Sequence, residues 1–500
     1  QDHRNHFQIS LMAIAILVIY AVLLSFILLF SFMQLRLALA YLNKHKYTRM
    51  IPPPNFGELP IVTIQLPLYN ERHVAERLID QVAKMDWPHD RLEVQVIDDS
   101  TDETVDLAAA RIAHWQAEGI DMIHIRRADR EGFKAGALAY GLKIAKGEFI
   151  AVFDADFMPP TDMLQVISPW FNDPKIGMVQ TRWDHLNRNS NLLTELQAFG
   201  LDAHFSVEQV GRNGLRHFIN FNGTAGVWRK ACIVDAGGWQ ADTLTEDLDL
   251  SYRAQLKGWQ FHYLEDVASP AELPAAMNAL KTQQYRWNKG AAECAVKNLP
   301  RVLRSSSVTF GTKMHAIFHL MNSTVFVSIL GTALLSVPLL LLKQTHPEFR
   351  TLFDIAIVFT FALLVLIFFY WVAHRQRLRG WRGAFRFIWI FPVFLSVSMG
   401  LSLHNAVAVL EGYLGRRTPF LRTPKLGSSD GDKAIKHDAY WKSAISPMTL
   451  LEAAIAGYAV WGIVIGFRVG DLGLLPYHFM LAVGFGLVSY YSFVHSLRTA

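Results

Sequence analysis

Two rhythms divide the chain. Residues 11–33 are almost continuously apolar, interrupted only by Tyr20, Ser25 and Ser31; about 23 residues is enough to cross a bilayer and is too long for the apolar core of a signal peptide. From about 52 to 300 the pattern changes to short apolar runs separated by amphipathic stretches and turns. IVTIQLP at 61–67, LEVQVID at 92–98 and FIAVFD at 149–154 read as strands, with 71–85 and 102–118 between them as helices. Near-continuous apolar strands alternating with helices predict a mostly parallel sheet covered on both faces. Beyond residue 313 long apolar segments return at 316–342, 352–373, 387–410, 450–467 and 474–494.

Composition agrees with this division. The 500 residues are 51% hydrophobic and only 18% charged, with a mean hydropathy of +0.19, too apolar for an ordinary soluble enzyme. The net charge of +5 is spread thinly and forms no basic arm, so nucleic acid is not an expected partner and membrane lipid is. Two cysteines, Cys232 and Cys294, support neither a disulfide framework nor a zinc site.

Charge also sets an expected topology. Arg36, Lys44, Lys46 and Arg49 follow the first span and keep the next block in the cytoplasm. Five arginines at 374–386 and four basic residues at 412–425 flank the 387–410 segment. That segment, with Pro392, His404 and Asn405, is expected to lie along the inner interface, leaving five spans with the N-terminus outside and the C-terminus inside. The expected divisions are an N-terminal span and linker (1–50), a cytoplasmic domain (51–303), two spans and an interfacial helix (304–411), a cytoplasmic loop (412–446) and two spans (447–500). The membrane would be a plasma or inner membrane, or one of Golgi type. Gln1 is not an initiator methionine, and no cyclic-dinucleotide-binding domain is expected after the last span.

In parallel sheets ligands bind beyond the carboxyl ends of the strands. There the chain places Tyr69-Asn70-Glu71, Asp98-Asp99-Ser100 and Asp154-Ala155-Asp156. No dinucleotide fingerprint or P-loop follows a strand. Asp154 and Asp156 offer hard oxygen ligands for Mg²⁺ or Mn²⁺ shared with a phosphate-bearing substrate; a solvated turn before Pro159-Pro160 is the plainer reading. Asp247 opens a helix at 246–257, where it serves either as a cap of the helix dipole or as a general base. In Gln283-Gln284-Tyr285-Arg286-Trp287 the Arg can meet phosphate oxygens and the Trp a sugar face, or both can anchor the chain at the membrane surface.

The set DDS, DAD, TED and QxxRW, with QLPLYNE, FKAGAL, NFNGTAGVWR and DAGGW between them, resembles the family 2 inverting glycosyltransferases. Within that family the phrases resemble cellulose synthase and the cellulose-synthase-like mannan and glucan synthases. The resemblance covers about residues 60–303 and implies a GT-A type α/β catalytic domain joined to an α-helical transmembrane domain. It further implies that Tyr69, Glu71, Asp98, Asp99 and Lys134 hold the nucleoside side of the donor. Asp154 and Asp156 would handle ribose and metal-bound diphosphate, Asp247 would be the base, and Gln283 and Arg286 would brace the diphosphate. Trp287 would stack on the acceptor sugar, and Asn222, Gly223 and Thr224 would line its path. Phe420 to Lys425 is similar to the gating loop F-x-V-T-x-K of cellulose synthases, departing at Arg422 and Pro424; Thr423 and Lys425 would bond the diphosphate, although a basic loop touching anionic lipid explains the same charges.

The expected activity is processive synthesis and export of a β-linked glucan or mannan, with Mg²⁺ or Mn²⁺ as cofactor and the growing polysaccharide as acceptor. UDP-glucose is favoured as donor over GDP-mannose. Transfer of one sugar to a lipid is the alternative. Phe318, Phe326 and Trp371 are candidate sugar platforms in the channel, or else ordinary helix-packing aromatics.

Overall fold

The computed structural model describes residues 2–44, 59–349, 356–418, 425, 427 and 446–497. It opens on a single helix, α1 (Asp2–Leu42), longer than the apolar stretch itself. The catalytic block then builds β1 (Val62–Leu68), β2 (Leu92–Asp98), β3 (Asp121–Ile125), β4 (Phe149–Val152), β5 (Ile176–His185), β6 (Gly226–Arg229) and β7 (Gln260–Ala271). Among the described residues these form one sheet in the order β3-β2-β1-β4-β6-β5-β7. The strands β1 to β4 run parallel, whereas β6 is antiparallel to both β4 and β5.

Alternation along each strand makes two cores. In β4, Phe149 and Ala151 join Leu78, Ile79 and Val82 of α2 (Ala75–Ala83) and Ile112 of α3 (Thr104–Ala117). Ile150 and Val152 face the opposite way, onto Leu138 and Leu142 of α4 (Phe133–Ile144) and onto Trp228. This is the helix-covered sheet that the apolar strands predict. The chain reverses direction around β1, whose neighbours are β2 and β4, so their carboxyl ends open a crevice there.

Three further helices carry chemistry or attach the membrane part: α5 (Leu192–Ala203), α6 (Glu246–Leu256) and α7 (Met277–Arg304). The segment expected as one apolar stretch at 316–342 is instead two helices, α8 (Phe310–Leu320) and α9 (Thr324–Thr345). α8 belongs to the catalytic side: Ala316 and Leu320 pack with Leu248 and Tyr252 of α6 and Cys294 of α7, and Tyr252 meets His319 Nδ1 at 2.7 Å. Its apolar face is covered by protein, which hydropathy alone does not distinguish from lipid.

After α10 (Thr360–Arg377), the expected 387–410 segment also divides, at Leu401, into α11 (Gly380–Gly400) and α12 (Ser402–Tyr413). The chain finishes with α13 (Pro447–Val469) and α14 (Leu475–Leu497). Five described helices are long and apolar enough to cross a membrane: α1, α9, α11, α13 and α14. The number equals the expected one, but the set contains α11 where the sequence reading has 352–373. Gly400 of α11 and Gly484 of α14 meet so closely that a Cβ on either would collide with the other helix's backbone, the contact that small residues permit between membrane helices. Phe318 packs on Phe26 and Trp371 on Phe387, so both aromatics serve helix packing.

Candidate active site

Where the strands β1 and β4 end, a cavity of about 190 Å³ is lined by residues of several elements. Tyr69 and Glu71 come from the end of β1, Asp99 from β2, Asp154 and Asp156 from β4, Glu246 and Asp247 from the start of α6, and Gln283, Arg286 and Trp287 from α7. Residues scattered over more than two hundred positions of sequence thus face one space.

Backbone geometry prepares the site. Asn70 takes a left-handed conformation (φ 55°), and its side chain accepts from Thr101 N at 2.8 Å, turning Tyr69 and Glu71 into the crevice. Gly223 has φ 79°, and a Cβ there would lie 3.1 Å from Asp247 Oδ2 and 3.4 Å from Lys134 Nζ, so only glycine leaves both side chains in place.

Lys134 is the electrostatic hub. Its Nζ donates to Asp154 Oδ1 at 2.5 Å and to the Gly223 carbonyl at 2.8 Å, and lies 4.0 Å from Glu246. Burial works against its charge, but Asp154 and Glu246 outweigh burial and hold the ammonium above its ordinary pKa. Asp247 shows the opposite balance. Burial, and after it the neighbouring Glu246 charge, push its carboxyl up to about 7 against the pull of Lys134. A carboxylate poised near neutrality at a helix start is suited to accept a proton.

The aspartate pair after β2 divides its work. Asp99 lines the cavity and is gripped bidentately by Arg127, at 2.9 and 2.5 Å. Asp98, expected at the donor, is fully buried and does not line the cavity. It accepts from Ser100 N at 2.8 Å and meets His124 Nε2 at 3.0 Å. Burial raises its carboxyl, but the bonds from His124 and Ser100 prevail and hold it low. Asp98 therefore fixes the turn that presents Asp99.

Thr224 is likewise placed behind the site. It is fully buried, and its Oγ1 accepts from Asp154 N at 2.9 Å, so it orients Asp154 rather than lining an acceptor path. Asn222 and Gly223 do line the cavity. Lys425 enters it as well, with Nζ 2.6 Å from Asp156 Oδ2 and 3.3 Å from the Glu272 carbonyl. Thr423 lies outside the described residues.

Sequence reasoning missed several walls. The Arg130 guanidinium carbon lies over the Tyr69 ring, 3.3 Å from its centroid. Glu272 accepts from Arg77 at 2.8 Å and from Gly427 N at 3.1 Å. Trp183 stands 6.5 Å from Trp287 and stacks at 4.7 Å on Phe205, extending the aromatic wall. Only Glu246, inside the TED phrase, carried a signal that could have been read.

Seven carboxylates and four Lys or Arg side chains line the cavity. A nucleoside diphosphate adds further negative charge, so a divalent cation beside Asp154 and Asp156 suits this site. Among the described residues no group of three or more His, Cys, Asp or Glu is placed to hold a metal by itself; Mg²⁺ and Mn²⁺ typically take one or two carboxylates and complete their shell with phosphate and water.

The family described as "Glycosyltransferase like family 2" matches residues 60–290. Probable glucomannan 4-beta-mannosyltransferase 11 of Oryza sativa subsp. japonica is 44% identical over 261 residues, 51% of this chain and 46% of that protein. Glucomannan 4-beta-mannosyltransferase 1 of the same species is 33% identical over 441 residues, 87% of this chain and 82% of that protein. The chain spans about half the length of several curated relatives it matches. A mannosyltransferase, PcManGT from Pyrobaculum calidifontis, solved in complex with GDP-Man and Mn²⁺, superposes with a TM-score of 0.51 at 17% identity, covering 79% of this chain and 100% of that one. The catalytic block has the GT-A fold expected from the motifs, and the apolar helices attached to it make this a membrane protein. The chain belongs to the family 2 glycosyltransferases, as a relative of the cellulose-synthase-like glucomannan 4-beta-mannosyltransferases.

Proposed function

We propose that the chain polymerises a β-linked mannan from GDP-mannose at a cytoplasmic active site and passes the product outward between its membrane helices. The observation that carries this reading is the meeting of Asp154, Asp156, Asp247, Arg286 and Trp287 around one cavity. The names of the relatives move the donor from UDP-glucose, favoured on sequence phrases alone, to GDP-mannose, and they favour polymer synthesis over single transfer to lipid.

In this mechanism the acceptor's terminal sugar stacks on Trp287 and turns a hydroxyl toward Asp247 Oδ2. Asp247 takes the hydroxyl proton as the oxygen attacks the anomeric carbon from the face opposite the diphosphate, which inverts the configuration. Lys134, Arg286 and Lys425 take up the negative charge of the departing nucleoside diphosphate. Asp154 and Asp156 would hold a divalent cation, which when bound supplies Lewis-acid stabilisation of that leaving group.

The test is incorporation by the purified chain from radiolabelled GDP-mannose and, separately, UDP-glucose. We expect a mannanase-digestible polymer from the first donor. Label entering only a lipid-extractable product, or only from UDP-glucose, overturns the reading.

A further inference from the structure

The turn from α10 into α11 carries five arginines, Arg375, Arg377, Arg379, Arg382 and Arg386, and they divide into two groups. Arg377 reaches Asp184 at 2.8 Å and Asp202 at 3.5 Å, and Arg386 pairs with Glu195. These two fasten the turn to β5 and α5. Arg375, Arg379 and Arg382 are all exposed, and among the described residues they meet no carboxylate. The turn thus presents three uncompensated positive charges on the side of the membrane that holds the catalytic block.

Charges without a protein partner are ordinarily a solvated surface, but an apolar stripe runs beside these. Along the first three turns of α11, Gly383, Phe387 and Ile390 are buried, whereas Trp381, Phe385, Ile388 and Trp389 are 68–70% exposed. Their spacing places the four exposed side chains on one face of the helix. The face continues at exposed Pro392 into the apolar half of α11. Leaving it in water would forgo a large burial free energy.

Two observations say what covers it. The stripe lies on a helix long and apolar enough to enter a bilayer, and it begins with tryptophan beside arginine, the side chains that settle where acyl chains meet head groups. The Arg382 guanidinium carbon is 5.5 Å from the Trp381 ring centroid, so cation and ring share that level. The three free cations then complement a leaflet of net negative charge.

We propose that the turn between α10 and α11 is a binding surface for anionic phospholipids of the leaflet facing the catalytic block. Arg375, Arg379 and Arg382 bond the head-group oxygens, and Trp381, Phe385, Ile388 and Trp389 enter the top of the acyl layer. Zwitterionic lipids carry the same phosphate, but only net negative charge is selected by three cations. Arg377 and Arg386 connect this surface to β5 and α5, which supply Trp183, His185 and Leu201 to the cavity wall. The lipid contact therefore seats that wall against the membrane, whichever sugar is transferred.

A local probe tests this, because both native cysteines are buried. A bimane fluorophore on Leu378→Cys, an exposed position between Arg377 and Arg379, is quenched on contact by phospholipid bearing a nitroxide at the top of its acyl chain. With the full chain in phosphatidylcholine vesicles, nitroxide-labelled phosphatidylglycerol should quench it at a concentration at least about fivefold lower than nitroxide-labelled phosphatidylcholine, the effect of one arginine at an anionic surface. Arg375→Gln, Arg379→Gln and Arg382→Gln together should abolish that preference, and high salt should weaken it. Lys84→Gln, Lys143→Gln and Lys175→Gln together, which remove the same charge from exposed positions at the opposite end of the sheet, should leave it in place. If the triple arginine variant does not fold, Arg379→Gln with Arg382→Gln carries the same test. Equal quenching of the parent by both lipids, a preference that survives the arginine substitutions, or a reporter that neither lipid reaches because protein covers the face overturns the proposal.

Discussion

Asp247 and Glu246 stand side by side at the start of α6, and burial, followed by the charge of Glu246, raises the proton affinity of Asp247. Because the Asp247 carboxyl is raised to about 7, the base is lost as pH falls through neutrality, and kcat/KM should show an ascending limb displaced far above the ordinary carboxylate range. Glu246→Gln removes the second cause of that rise and should move the limb toward acid; a limb that stays in place contradicts the coupling. Asp247→Asn should cut elongation by at least about two orders of magnitude with GDP binding retained. The same shift has a stability sign. A carboxyl raised in the folded state costs stability as pH climbs from the unfolded value of 3.8 through about 7. Donor-free Asp247→Asn should therefore melt higher than the parent at pH 8, and the gain should fade on acidification. Asp156, held by Lys425 at 2.6 Å, gives a second residue-scale expectation: Asp156→Ala weakens metal-dependent donor binding, and chelation by EDTA abolishes transfer until Mn²⁺ or Mg²⁺ is restored. Transfer that persists in EDTA contradicts the metal assignment. The TED and DAD phrases made these acids legible in the sequence. The division between Asp98 and Asp99, or between Gly223 and Thr224, was not, because adjacent residues share a motif while facing opposite sides of a turn.

At the scale of elements, legibility followed burial. β1, β2 and β4 are buried on both faces and were readable as strands, with β1 and β2 pairing Thr63 with Glu93 and Gln65 with Gln95 on one of those faces. β5 and β7 were not: they carry polar residues such as Arg182, Asp184, Glu265 and Asp266, and their pairing shifts register between Thr181 and Arg182, which blurs a period of two. The cost fell on the site, since β5 supplies Trp183 and His185 to the cavity wall. α7 was readable only as its motif, yet over its 28 residues Gln283, Arg286 and Trp287 ride on one helix, which in the proposed mechanism keeps donor and acceptor chemistry in step. The indole of Trp287 stands beside Trp183, which we propose as the acceptor side, whereas Arg286 lies among the charges of Asp154, Glu246 and Glu71. Trp287→Ala should therefore lower elongation by about tenfold or more while donor hydrolysis is at least partly kept. A parallel fall in both rates would assign Trp287 to the donor side instead.

For the whole molecule the open question is how the catalytic block sits on the membrane, and α11 decides it. By length and composition α11 can cross, but its connections run to a single domain at both ends. At its start Arg386 pairs with Glu195 of α5, and just before it Arg377 reaches Asp184 at 2.8 Å. At its far side, through α12, Glu411 and Arg416 bond Tyr285 and Lys289 of α7. A domain cannot occupy both faces of a bilayer, and translocating either arginine-rich flank would be costly, so α11 and α12 together are expected to leave and return on the catalytic side. Cysteine labelling tests this cleanly because both native cysteines are buried. Leu414, 82% exposed just past the end of α12, and Glu118, exposed on the catalytic domain after α3, give two reporters. Leu414→Cys and Glu118→Cys should both resist an impermeant maleimide in intact cells and both react after permeabilisation. Labelling of Leu414→Cys from outside, with Glu118→Cys still protected, would make α11 a true crossing, place the segment that carries Lys425 on the far side of the membrane from its catalytic domain, and remove Lys425 from the reaction.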